Sequence, residues 1–243
     1  MEASVRELAF APPSEERVRE RTWALAALVC RAFVETFEDQ GQARALHAQV
    51  LEWIETVGIG PELEPGEVRV LETETGSLDR RALIDGTWRS EGLGVFAWAL
   101  GARELPPHDQ IVDPYEVANS VLFLAEDSLE RAAELRLRPR AELDRMSRVL
   151  QALDWRLQEY SLHPHAIDFG EFARSGALGP LELDGVPLVG GDLAIKGVAI
   201  VHAPEADVRR CQSIALERHR AIAWLRGAHR LYSQVEVSKE GGA

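Results

Sequence analysis

Ser213–Gly227, read S-I-A-L-E-R-H-R-A-I-A-W-L-R-G, is the stretch that most limits what this chain can fold into. Wound at about 100° per residue, it places Val208, Cys211, Ile214, Ala215, Ala221, Ile222 and Leu225 on one face. Arg218 falls at the centre of that face, while Glu217 and Arg220 point away from it. A guanidinium does not give up its proton, so one aimed at a core must meet an acceptor there. The pattern puts a charge inside the fold without naming a reaction.

The expected acceptor is Glu91. A helix over roughly 79–100, capped by Gly101, carries Glu91 on the same face as Ile84, Trp88, Val95, Trp98 and Ala99. Glu91 and Arg218 would each be strongly destabilising alone and would neutralise one another as a buried pair. Such a pair either lines a substrate pocket or fixes how two helices pack, and the structural role is the commoner one. Gly92 and Gly94 weaken this helix by about 1 kcal/mol each relative to alanine, which suggests close helix packing.

Further helices follow from capping and period. Ser14 caps the first, with Glu15 and Glu16 in its opening turn, and a second covers about 42–57 before Gly58, Gly60 and Pro61 stop it. Asp113-Pro114-Tyr115-Glu116 is the clearest helix start, and that helix is expected to reach Ala125. Pro139 opens a fifth helix with a seam of Leu143, Met146, Leu150, Leu153, Leu157 and Tyr160, and Ala203-Pro204-Glu205 opens the last. Residues 59–77, with Glu62, Glu64, Glu67, Glu72 and Glu74 against Arg69 alone, read as a solvated acidic connector in preference to a docking site for a basic partner. Two small hairpins are expected within 162–203, turning at Asp184-Gly185 and Lys196-Gly197. The result is a mainly α fold, a single helical domain of about six helices over 14–232. One or two β-hairpins are inserted before the last helix, with a flexible N-terminus over 1–13 and a polar tail over 233–243.

Composition excludes several function classes. The chain has 243 residues, 46% hydrophobic and 28% charged, as ordinary globular proteins do. A net charge of −13 argues against nucleic acid and anionic membranes and leaves a basic partner open. Cys30 and Cys211 both fall in apolar helical stretches, which suits two reduced thiols in a cytoplasmic protein. No signal peptide and no run long enough to cross a membrane is visible, and no cofactor is expected.

Phosphate-loop, dinucleotide-binding, zinc-protease and nucleophile-elbow motifs are all absent. His163-Pro164-His165 with Asp168 is the best metal candidate, since imidazoles two apart in an extended segment can point the same way. Two solvent-facing histidines fit the same residues. His219 beside Glu217 could serve as a general acid or base, as could Glu91, although a half-buried histidine bonded to a backbone carbonyl is the plainer reading. Trp88 and Trp98 fall on a buried face. Trp155 and Trp224 project away from their seams, so they either cover a neighbouring element or anchor a partner, and Trp88 could line a pocket.

Four segments follow one another along the chain: Trp88–Gly101 (W-R-S-E-G-L-G-V-F-A-W-A-L-G), Leu137–Leu143 (L-R-P-R-A-E-L), Asp192–Ile195 (D-L-A-I) and Glu217–Leu225 (E-R-H-R-A-I-A-W-L). In that combination the chain resembles the mainly bacterial family called domain of unknown function 4272, over roughly residues 21–227. It departs at Ala223, where a polar residue is expected before the tryptophan, and at Gly92 and Gly94, in a helix usually richer in Ala and Leu. The resemblance implies a single helical domain and carries over no activity or catalytic residue.

Three functions remain in view. The first is a non-catalytic, accessory or immunity-type protein that binds a basic partner, and it is favoured over an enzyme. The second is a metal-assisted hydrolase using His163, His165, Asp168 and His219. The third is a small-molecule sensor with a pocket between the Trp88 helix and the last helix, gated by Glu91 and Arg218.

Overall fold

The computed structural model describes residues 10–176, 179 and 181–237. Among them the chain forms nine α-helices: α1 (Glu15–Val34), α2 (Gln40–Val57), α3 (Pro65–Glu72), α4 (Arg80–Ala99), α5 (Pro114–Ser120), α6 (Ser128–Ala132), α7 (Arg140–Leu162), α8 (Phe169–Ser175) and α9 (Glu205–Leu225). Three strands, β1 (Leu188–Val189), β2 (Asp192–Ile195) and β3 (Val198–Ala199), form an antiparallel sheet before the last helix. The fold is mainly helical, as the periodicity requires. The helices beyond the expected six are α3, α6 and α8, of 8, 5 and 7 residues. Helices this short repeat their apolar positions too few times to show a period.

Contacts group the chain into two compact units. One spans Pro13–Leu105 and Val112–Arg138 and contains α1 to α6. The described residues of the other fall within 10–12, 106–111 and 139–237, with α7 to α9 and the sheet. Periodicity shows that a helix face is buried, but not which neighbour buries it.

In the first unit α1 packs against α4, and Ala24, Leu25, Ala27 and Val29 of α1 are buried with Leu93, Val95, Phe96 and Ala97 of α4. Two α4 glycines permit close approach. A Cβ on Gly86 would lie 2.7 Å from the Ala32 Cβ, and one on Gly94 would lie 2.7 Å from the Val112 Cγ1. The Ala32 methyl is fixed to its backbone, so a side chain at 86 can be admitted only by parting α1 from α4. Gly86→Ala is therefore expected to destabilise the protein by roughly 1–3 kcal/mol, overpacking outweighing the gain of about 1 kcal/mol in helix propensity. A thermal melt reads it, and a variant that melts above the native protein would refute this account.

Local signals set most helix ends correctly. Ser14 Oγ accepts from Arg17 N at 3.2 Å, Asp79 Oδ1 from Ala82 N at 2.8 Å, and Asp113 Oδ1 from Tyr115 N at 2.9 Å. The helix begun by Asp113 ends at Ser120 rather than near Ala125. Beyond it Leu122 and Leu124 take left-handed backbone angles, φ 62° and 60°, a conformation unfavourable for leucine.

The 59–77 stretch is not the solvated connector that its charge suggested. It contains α3, and Glu64 and Glu67 are buried. Three of its carboxylates answer arginines of α1: Glu62 pairs with Arg17 at 3.0 Å, while Glu67 and Glu64 meet Arg21 at 2.5 and 3.5 Å. Their negative charge is spent within the fold.

In the second unit α7 packs on α9, with Leu150, Leu153 and Leu157 of the expected seam buried. The hairpin at Lys196-Gly197 is present, pairing Ile195 with Val198. The other pairs Val189 with Asp192 and turns at Gly190-Gly191, not at Asp184-Gly185. Both glycines there have positive φ, 63° and 86°, which a tight turn between strands needs. Residues 1–9 of the expected flexible N-terminus lie outside the described residues. Phe10 is held, its N–H donating to Gly227 O at 3.1 Å. Of the expected tail, residues 238–243 also lie outside the described residues, whereas Val235 is buried after a 3-10 turn at Tyr232–Gln234. Among the described residues, no helix is long and apolar enough to cross a membrane.

Candidate functional site

Arg218 is buried, at 1% exposure. Its NH1 donates to the carbonyls of Pro106 and Pro107 at 2.7 and 3.1 Å, and its NH2 to Gln110 O at 2.7 Å. One guanidinium thus holds the 106–111 segment to α9. His108 and Asp109 fasten the same segment to the sheet, His108 Nε2 bonding Ala194 O at 2.8 Å and Asp109 Oδ2 accepting from Lys196 N at 2.8 Å. Burial holds the His108 imidazole below its usual pKa, so it is a neutral donor to that carbonyl.

Among the described residues Arg218 is one of four arginines with almost no exposure, and each ties a loop to a helix. Arg21 reaches Glu67 and also donates to Glu62 O. Arg31 pairs with Glu35 at 2.5 Å and donates to Thr73 O and Glu74 O. Arg156 on α7 makes a two-pronged pair with Asp192 of β2, both N···O distances being 2.7 Å, and donates to His165 O. Of these four, Arg218 alone was expected from the sequence. Arg21 carried the same signal, three residues after Val18 and four before Leu25. Asp192 follows two glycines on a very short strand, and nothing local marks it as a partner for Arg156.

Glu91 is fully buried on α4, where its Oε1 accepts from Val112 N at 3.0 Å and so fixes the residue before the Asp113 cap. Neither Glu91 nor Arg218 offers a surface at which a substrate could be held. Glu217 is also buried, against the expectation that it faces outward, and pairs with Arg220 one turn on. His219 takes its partner from α7: Nδ1 bonds Asp154 Oδ2 at 2.8 Å, a carboxylate and not the expected backbone carbonyl.

The metal candidates are otherwise engaged. Asp168 caps α8, accepting from Glu171 N at 2.7 Å, and His163 Nδ1 bonds Glu159 at 3.0 Å. The His163 and His165 rings stand 6.5 Å apart, and among the described residues no three His, Cys, Asp or Glu side chains are grouped to hold a metal. Burial pushes the thiols of Cys30 and Cys211 up to about 11, which removes them as nucleophiles near neutrality.

The tryptophans separate. Trp224 is fully buried, its ring edge-on to Tyr232, so it cannot anchor a partner. Trp155 is covered by α8, stacked on Phe172 with ring centroids 3.9 Å apart. Trp88 is half-buried, and Ile84 on the same face is exposed, not in the core.

One surface groove was not foreseen. A groove of about 550 Å³ runs along α2 in the first unit, between Gln49–Val57 and the 124–130 segment. That volume lies within the range of roughly 300–1,000 Å³ typical of ligand sites, so it can take several side-chain groups. Its walls carry four carboxylates, Glu52, Glu126, Asp127 and Glu130, and, among the described residues, no Lys, Arg or His. Trp53, Val57, Leu124 and Leu129 supply the apolar surface. Trp53 is a rigid wall, edge-on to Trp23 at 5.3 Å and to Phe123 at 5.0 Å. Its charge pattern hides in sequence because Glu52 stands far along the chain from Glu126.

No curated protein and no solved structure matches the chain. A family model matches residues 3–169, taking in Trp88–Gly101 and Leu137–Leu143 and ending before Asp192–Ile195 and Glu217–Leu225. That model is described as Domain of unknown function (DUF4272), and with more than half of the chain inside the match, this protein belongs to that family.

Proposed function

We propose that this protein is a non-catalytic, accessory or immunity-type binding protein that acts in the cytoplasm by recognising a basic protein partner. The observation that carries the reading is the α2 groove, where four carboxylates stand beside apolar side chains and, among the described residues, no Lys, Arg or His lines it. The net charge of −13 acts in the same direction, since a negative field draws a basic surface in and repels acidic ones. The acidic 59–77 stretch is not the contact surface, because Glu62, Glu64 and Glu67 already hold Arg17 and Arg21.

Selection of random displayed peptides against the full chain tests this. Enriched peptides should be rich in arginine and lysine and should bind more weakly as salt rises, because exposed charge pairs are screened. Enrichment of neutral or acidic peptides, or no enrichment, would overturn the proposal.

A further inference from the structure

We infer that the α2 groove reads a composite segment, an apolar side chain flanked by arginines or lysines, on a protein partner. This rests on the partner-binding reading above and adds which groups are recognised. Three observations carry it.

The first is unspent charge. Among the described residues Glu52, Glu126 and Glu130 are exposed and make no ion pair, while Asp127 is shared with Arg131 at 3.2 Å. This contrasts with Glu62, Glu64 and Glu67, whose charge is consumed inside the unit. The second is an apolar anchor point beside those carboxylates. Leu129 is 56% exposed between Asp127 and Glu130, and Val57 lines the same groove. An apolar side chain laid there shields the neighbouring charges from water and strengthens their attraction for cations.

The third is an orphaned donor. Trp53 is 8% exposed and lines the groove, yet its Nε1 has no hydrogen-bond acceptor. Its neighbour Trp23 is satisfied, donating to Val121 O at 2.8 Å. Buried indole donors are ordinarily paired; this one is sealed from solvent, so an acceptor on a ligand meets it once the side chains beside the ring shift as the ligand seats. A peptide brings carbonyls with its cations and apolar groups. A polyamine brings cations alone.

Fluorescence anisotropy on the full chain tests this with a short labelled peptide in which leucines stand between arginines. It is compared with a peptide of equal length carrying serines for the leucines, and with spermine as competitor. The native chain should prefer the arginine–leucine peptide. Both Leu129→Ser and the double variant Glu126→Gln, Glu130→Gln should weaken binding about tenfold or more, as expected of interface anchors. These positions are exposed, and an unchanged melting temperature verifies the fold. The Trp53 indole proton, assigned by its loss in Trp53→Phe, should shift in the NMR spectrum as peptide is added. Peptide binding that both groove variants leave unaltered overturns the groove inference and leaves the partner reading intact. Equal binding of the serine peptide, or equal displacement by spermine, overturns the apolar anchor. Failure of every basic peptide to bind the native chain overturns both proposals together.

Discussion

Replacing Arg218 by alanine is expected to lower the unfolding free energy by roughly 3–5 kcal/mol. The guanidinium is sealed from water and serves three carbonyls, those of Pro106, Pro107 and Gln110. Truncation strips those acceptors of the guanidinium and leaves a cavity where a large side chain stood. Pro107 O keeps the Gln110 amide as a donor, so the loss falls on the charge-assisted bonds to Pro106 O and Gln110 O, at about 1.5–3 kcal/mol each, which together reach the stated range. Lysine keeps the charge but loses the planar fork that spans separated carbonyls, so Arg218→Lys should recover only part of the loss. Denaturant unfolding measures both. An alanine variant within about 0.5 kcal/mol of the native protein, as a surface change would be, would dismiss the role assigned to this residue.

A loss of similar size is expected from Asp192→Ala. Arg156 is 0% exposed, and Asp192 supplies both oxygens of its pair. Its NH1 already lacks a partner, and the guanidinium lies 5.4 Å from the Tyr160 ring centroid, so little else can compensate. Removing one member of a buried pair costs roughly 3–5 kcal/mol because the other charge is stranded. Replacing both, as in Arg156→Met with Asp192→Leu, strands nothing and should restore much of the stability. If the double variant proves as unstable as the sum of the single ones, the pair does not act as a unit.

The same pair sets a pH dependence. Burial pushes the Asp192 carboxyl up, but hydrogen bonds from Arg156 and from the Ile167 and Leu193 amides outweigh it and hold the group below its usual value. A carboxyl depressed in the folded state contributes stability above its unfolded pKa of about 3.9 and loses it as pH falls through the folded value. Asp192→Asn should therefore flatten the acid limb of the stability profile.

The helices were legible because their signals are local. Ser14 and Asp79 cap helices that carry an apolar period over several turns, while Asp113 with Pro114 and Glu116 marks a short one by its start alone. The sheet was half legible. Lys196-Gly197 is a turn that sequence announces, while Asp184-Gly185 carried the same signal and Gly190-Gly191 made the hairpin instead. A turn signal says that the chain can reverse, and strand pairing on either side decides whether a hairpin results.

For the polar residues, the line fell between burial and partnership. Sequence alone determined that Arg218 and Glu91 leave the solvent, because helical period fixes which side of a helix faces inward. Only the tertiary structure decided that Arg218 would grip the carbonyls of a segment 112 residues earlier, that Arg156 would be answered from β2, and that the acidic 59–77 stretch would turn inward on α1. Glu52 and Glu126 likewise became one surface only on folding. Side-chain direction is a property of a few consecutive dihedral angles, whereas the identity of a partner depends on how distant segments close on one another.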